Sequence, residues 1–213
     1  MSPESPYVIT ISRQLGSGGA ELGQRLAKRL GLAYVDREIL RQAAEKLRTS
    51  EENLELRDER VCSIWQSLIS SFVPGVMDVG YMPPYEVMPT DRDVFEAESD
   101  IIRKVARMQN SVIVGRGGFH VLRGHPRLLS ILLHADMAFR CPRIQELFKL
   151  SAEKAIAMIQ ENDRARTKYA RALTGRDWTD LRQFHLTIDT GAVGMDAAEE
   201  AVVACLHGRV GEL

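Results

Sequence analysis

Cysteine is scarce in this 213-residue chain: Cys62, Cys141 and Cys205 stand far apart, with no CxxC pair. An odd, scattered set supports neither a disulfide framework nor a thiolate metal site. The five histidines show no metal-ligand spacing. Long apolar runs are missing too, none approaching the ~20 residues that a membrane helix needs. The opening MSPESPYVIT has neither the charged nor the apolar segment of a secretory signal. Charge of one sign is also lacking. Twenty-eight basic residues against 29 acidic ones leave a net charge of -1, with a pI near 6.5. That balance provides no whole-molecule attraction for nucleic acid or anionic lipid, so any anion site must come from local clustering of basic side chains. The expectation is a cytoplasmic, reducing setting with neither nucleic acid nor membrane as partner.

What is present suits one sizeable domain. Hydrophobic residues make up 45% and charged residues 27%, ordinary values for a globular protein able to bury a core unaided. Short runs rich in β-branched and apolar residues occur at 7–11, 33–35, 111–114, 128–133 and 184–190, and read as strands. Between them, helical spacing predicts helices over 20–30, 37–47, 94–108, 135–150, from Ser151 through the basic stretch ending at Arg171, and over 195–206. Strands alternating with helices predict an α/β fold, a parallel sheet with helices on both faces. Residues 72–92 break the rhythm, with five prolines and glycines at 74, 75, 80, 83, 84 and a sixth at 89 among apolar side chains. A loop that long and that apolar reads as a mobile substrate-side segment or a partner-binding surface.

The densest chemical signal is Ser12-Arg-Gln-Leu-Gly-Ser-Gly-Gly-Ala-Glu-Leu-Gly23, directly after the first strand. Gly16, Gly18 and Gly19 allow a tight turn that brings several N–H groups to one anion. The helix behind them adds its positive end. A dinucleotide GxGxxG is not met, because the third glycine is absent. The phosphate-loop pattern GxxxxGK[ST] is also imperfect. With Gly18 as its second glycine, Arg13 takes the place of the first, Gly19 that of the lysine and Ala20 that of the magnesium-binding hydroxyl.

Taken with Tyr34-Val-Asp-Arg-Glu-Ile-Leu40, Val112-Ile-Val-Gly-Arg-Gly117, Thr174-Gly-Arg-Asp-Trp178 and Phe184-His-Leu-Thr-Ile-Asp-Thr190, this loop resembles the cytidylate kinase-like family, relatives of the nucleoside monophosphate kinases. The resemblance runs in order over nearly the whole chain. It implies a three-layer P-loop NTPase-like fold in one domain over 1–213, with a five-stranded parallel sheet, a substrate-side insertion at 48–93 and a helical lid at 160–182. It implies transfer of the ATP γ-phosphoryl, with Mg²⁺, to CMP or dCMP. The ATP phosphates would lie on Gly16, Ser17, Gly18, Gly19, Ala20 and Glu21. The acceptor would face Asp36, Arg37, Arg41 and Arg116, and Asp36 could also hold Mg²⁺ through water. Arg13, Arg116, Arg166 and Arg171 would supply the positive charge that the loop lacks.

Plainer readings stand beside these. Asp36 also suits an N-cap, Arg116 a structural ion pair, and Asp163 with Arg166 a surface pair. Arg164, Lys168 and Arg171 share one helix face. Trp178 and Tyr169 read as packing residues. The altered loop also fits, as an alternative, a nucleotide-binding regulator without transfer activity, and residues 72–92 could build a pocket for another small acceptor. A homodimer is compatible with the sequence.

Overall fold

The computed structural model describes residues 5–40 and 90–210. Five strands form one sheet: β1 (Val8–Arg13), β2 (Ala33–Val35), β3 (Ser111–Val114), β4 (Leu128–His134) and β5 (Leu186–Asp189). Every pairing is parallel and the spatial order is β2-β3-β1-β4-β5. The helices are α1 (Gly19–Leu30), α2 (Thr90–Met108), the short α3 (Gly118–Val121), α4 (Met137–Phe148), α5 (Ala152–Thr174), the short α6 (Thr190–Val193) and α7 (Met195–Val210). Residues 37–40 open a further helix, whose expected continuation to 47 lies outside the described residues. The expected long loop at 72–92 lies there too, except that residues 90–92 already belong to α2. Among the described residues no helix is long and apolar enough to cross a membrane.

The strands are buried on both faces because both faces are covered, and they are mostly apolar as a result. Ile9, Ile11, Val112, Val114, Leu129, Ile131 and Leu133 share one face by register, and Val8, Thr10, Ile113, Leu128 and Leu132 the other; all are buried. Gly23 of α1 meets Val114, Tyr34 and Ile11, and α1 packs on α7, so these helices share one face. The opposite face carries α3, where Gly118 sits against Thr10 and Ile113, and the C-terminal part of α5, where Ala170 joins Phe119, Leu132 and Trp178. Helix ends follow their chemistry. Gly31 closes α1 at φ 65°, its N–H bonded to the Ala27 carbonyl, while Asp136 and Ser151 cap α4 and α5 through side-chain oxygens.

This order brings the carboxyl ends of β1, β3 and β4 to one edge. Ligands of open α/β sheets bind at that edge, where the strand order reverses about the first strand.

Candidate active site

The loop after β1 begins with backbone geometry that only glycine adopts freely. Gly16 has φ 85° and Gly18 φ 83°. Five of its carbonyls, those of Arg13, Gln14, Leu15, Ser17 and Gly18, accept hydrogen bonds. Arg166 Nη1 donates to the Arg13 carbonyl at 2.6 Å, and Ser17 N–H and hydroxyl donate to that of Gln14. Arg140 Nη1 donates to that of Leu15 at 3.3 Å. Thr190 Oγ1 lies 2.8 Å from the Ser17 carbonyl and 3.2 Å from that of His134, serving one with its single proton. The Gly18 carbonyl accepts from Leu22 N–H. The N–H groups of Gly16, Gly18, Gly19, Ala20 and Glu21 donate to no acceptor among the described residues. A glycine loop whose carbonyls are bonded and whose successive amides are unused is suited to cradle an anion, reinforced by the α1 N-terminus.

The clasp comes from α4 and α5. Asp163 accepts from Leu15 N–H through one oxygen and from Arg140 Nη1 through the other, at 3.2 and 2.6 Å. The expected surface pair of Asp163 with Arg166 is therefore replaced by a largely buried bridge to another helix. Gly16 lies directly on the Arg140 backbone, where a Cβ would stand 3.1 Å from its carbonyl oxygen. Glu21, expected to help bind phosphate, pairs with Arg143 at 2.6 Å. The Ser17 hydroxyl faces the carbonyls of Gln14 and Leu133.

Beside the loop lies a cleft lined by Arg13, Arg37, Arg116 and Arg166, by Phe119, Tyr169 and Trp178, and by the turn residues Gly115 and Gly117. Four guanidinium groups thus converge on one space. Arg116 is anchored through Nε and Nη2 on Glu98 Oε2, the Nε contact being 2.7 Å, and lies 4.8 Å over the Tyr169 ring. Its structural ion pair and its place in the cleft coexist. Glu98 is 3% exposed. Burial pushes its carboxyl above the ordinary range, and the Arg116 charge only partly opposes this. Arg37 is held below its ordinary value, first by lost hydration and then by the like charge of Arg116, with Arg13 adding to it.

Arg13 is different. Its side chain crosses from β1 over Gly19, where a Cβ would stand 2.5 Å from Arg13 Cγ, to Gly115, where a Cβ would collide with Nη1. Its Nε is buried without a partner, and no acceptor or carboxylate among the described residues pairs with the guanidinium. A half-buried guanidinium with no acidic partner, lining a cleft, is placed to receive an anion.

Other expected residues fall elsewhere. Asp36 caps the helix opening at residue 37, accepting from Glu38 and Ile39 N–H at 3.0 and 3.1 Å, and is not part of the cleft lining. Arg171 also lies outside the lining: it is exposed and pairs with Asp177 at 2.7 Å. Arg41 lies outside the described residues. Residues 160–182, expected as a lid, are the second half of the continuous helix α5 and the segment after Gly175. Tyr169 and Trp178 are buried and pack, Trp178 Nε1 donating to Thr167 Oγ1 at 3.0 Å. Glu98, Arg140, Arg143 and Thr190 escaped the sequence reading. For Glu98 a signal existed, since it falls four residues after Val94 and four before Ile102, on the apolar stripe of α2.

A parallel sheet ordered this way, with a glycine anion cradle beside an arginine cleft, defines a phosphotransferase-type kinase fold. The chain belongs to the Cytidylate kinase-like family, whose model matches residues 8–192. It is 28% identical over 184 residues to a cytidylate kinase of Methanopyrus kandleri, covering 86% of this chain and 84% of that one. It is 25% identical over 205 residues to a cytidylate kinase of Sulfurisphaera tokodaii, covering 94% and 95%. Among solved structures, an uncharacterized protein from Eubacterium ventriosum superposes with a TM-score of 0.72 at 22% identity, over 95% of this chain and 99% of the other. A gluconokinase from Sinorhizobium meliloti gives a TM-score of 0.50 at 12% identity, over 96% and 94%. These two likenesses concern the fold alone.

Proposed function

We propose that the protein is a nucleoside monophosphate kinase that transfers the γ-phosphoryl of ATP to CMP or dCMP. The observation that carries the reading is the pairing of unused loop amides with a cleft one strand away that is lined by four arginines, of which Arg13 has no acidic partner among the described residues. The cradle suits the polyphosphate of a donor, and the cleft suits the phosphate of an acceptor. The named relatives support cytidine as the base. In the transfer, an oxygen of the acceptor phosphate forms a bond to the γ-phosphorus while the bond to the β,γ-bridging oxygen breaks, and ADP leaves with that electron pair. A dianionic acceptor has no proton to surrender, so the protein's task is positioning and charge neutralisation.

Mg²⁺ would arrive on the ATP phosphates with most of its water. Among the described residues no group of three or more His, Cys, Asp or Glu side chains could cage a metal. That fits an ion held chiefly by the nucleotide, and Asp36 remains the candidate for a contact through water.

The test is a coupled assay of purified protein with ATP, Mg²⁺ and a panel of nucleoside monophosphates, expected to show turnover with CMP or dCMP. No turnover with any of them defeats the reading. Gly19 and Ala20, at the lysine and hydroxyl positions, favour a second reading, a nucleotide-binding regulator. Calorimetric ATP binding without transfer to nucleotides or to non-nucleotide acceptors would select it.

A further inference from the structure

We propose that Arg13 is the group that meets the transferring phosphoryl, entering the site from the strand in place of a lysine from the loop. The inference rests on the kinase reading and adds to it which of four cleft arginines touches the reacting phosphorus group, and how.

Three observations single it out. First, the Arg13 side chain runs past Gly19, the first residue of α1, to Gly115 in the turn after β3, so it spans the space between cradle and cleft. Arg116 is tied to Glu98, and Arg166 has one nitrogen committed to the Arg13 carbonyl. Second, the guanidinium of Arg13 is unpaired among the described residues and its Nε is buried. Its charge is therefore not committed within the described residues and is available to a bound phosphate. Third, the path it takes exists because two residues have no side chain. A Cβ at position 19 would lie 2.5 and 2.9 Å from Arg13 Cγ and Cβ, and one at position 115 would strike Nη1. Position 19 is where the phosphate-loop pattern would carry lysine. Arginine on the strand and lysine on the loop are thus mutually exclusive occupants of one volume, and glycine at 19 is what lets the strand supply the charge.

No atom is gained or lost by Arg13 in this role. It donates N–H groups to the γ-phosphate oxygens while the bond from phosphorus to the acceptor oxygen forms and the bond to ADP breaks. A planar guanidinium can serve two of those oxygens at once, which suits a loose, charge-spreading transition state.

Four proteins test this: wild type, Arg13→Ala, Gly19→Lys and the double variant Arg13→Ala/Gly19→Lys. Transfer from ATP to CMP is measured, together with calorimetric affinity for ADP and for a non-hydrolysable ATP analogue. Arg13→Ala is expected to lower kcat by about 10³-fold, the range seen for arginines that stabilise transferring phosphoryl groups. Its ADP affinity should stay within a few-fold of wild type. The preference of the wild type for the triphosphate over ADP should disappear, which a purely structural role would not produce. Gly19→Lys alone should be worse folded or inactive, because both side chains claim one space. The double variant should regain at least tenfold of the lost kcat.

Turnover in Arg13→Ala within threefold of wild type overturns the proposal while leaving the kinase reading intact. Equal loss of ADP and triphosphate affinity also overturns it, since Arg13 would then be holding the loop. A double variant no better than Arg13→Ala overturns the exchange of strand arginine for loop lysine. Absence of transfer by the wild type removes the kinase reading itself, and this proposal with it.

Discussion

The loop after β1 and the turn after β3 share a backbone device and put it to opposite uses. The loop has left-handed residues at Gly16 and Gly18; the turn has three in succession, Gly115, Arg116 and Gly117 at φ 81°, 52° and 68°. In the loop the carbonyls are bonded and the amides are left unused for an anion, so no side chain is needed at the point of contact. In the turn it presents a side chain, Arg116, whose strained φ costs about 1–2 kcal/mol and whose aim depends on Glu98 and Tyr169. A backbone site depends on whatever holds its carbonyls. A side-chain site depends on one buried acid.

The largest effect should come from breaking the loop's support. Asp163→Ala strips Arg140 of its counter-charge and Leu15 N–H of its acceptor. Removing one partner of such a bridge costs about 3–5 kcal/mol when it is fully buried, and the partial exposure of Asp163 puts this case near the lower bound. Chemical denaturation should show that loss, and ATP affinity should fall with it. If stability falls and ATP affinity holds, the cradle does not depend on its clasp and the comparison is broken.

Next in size is Glu98→Gln. The charged hydrogen bonds to Arg116 are weakened, but the burial penalty of the carboxylate, which outweighs the Arg116 charge, is relieved as well. The net loss should therefore stay below the about 1.5–3 kcal/mol of a charged hydrogen bond. It should raise KM for the acceptor while leaving that for ATP nearly unchanged, dividing turn from loop. It also has a pH signature. Because burial raises the Glu98 pKa in the folded state, the native protein binds more protons than the unfolded chain between the ordinary value of 4.5 and the raised one. The contribution of this carboxyl to stability is thus fully present below pH 4.5 and is lost as pH rises through the raised pKa. The variant should lack that component of the stability profile.

A smaller pair of changes compares the glycines directly. Gly18→Ala and Gly117→Ala each place a Cβ at positive φ, costing about 1–2 kcal/mol apiece. At Gly18 the atom met is the flexible end of Met195, and at Gly117 it is Phe95 Cε2 at 3.1 Å. Similar losses in Tm are expected, with nucleotide affinity reduced only by Gly18→Ala and acceptor affinity only by Gly117→Ala.

These contrasts also explain what could be read beforehand. Ile9, Ile11, Val112, Val114 and the run from Leu128 announce buried strands because parallel strands covered on both faces are predominantly apolar, with only small polar residues such as Thr10 and Ser130 between. The glycines at 16, 18 and 19 announce an anion loop because no other residue makes that turn cheaply. Arg37 and Arg166 were legible as candidates and line the cleft. Asp163 was not legible as a clasp, because its partner Arg140 lies 23 residues away on another helix. A charge on a helix looks the same in sequence whether it faces water or a neighbour. Periodicity narrows the choice. Asp163 and Arg166 follow Ile159 at i+4 and i+7 on the inner stripe of α5, whereas Arg164, Lys168 and Arg171 are all exposed.

That inner-outer division of α5 supplies the smallest expected effect. Arg171→Ala removes a pair between an exposed guanidinium and Asp177, worth about 0–1 kcal/mol at most, and should leave kcat and both KM values unchanged. The Asp177 carboxyl is held down at about 2 chiefly by the hydroxyl and N–H of Thr179, with Arg171 contributing after them. Its pKa in the variant should therefore rise only part of the way to the ordinary 3.8, as an NMR titration would show. The stability Asp177 provides is present above that ordinary value and is lost as pH falls through about 2, so the variant should differ from wild type only near and below pH 4. A marked loss of transfer at neutral pH would instead place Arg171 with Arg166 on the working face of α5, and the face would have to be redrawn around both.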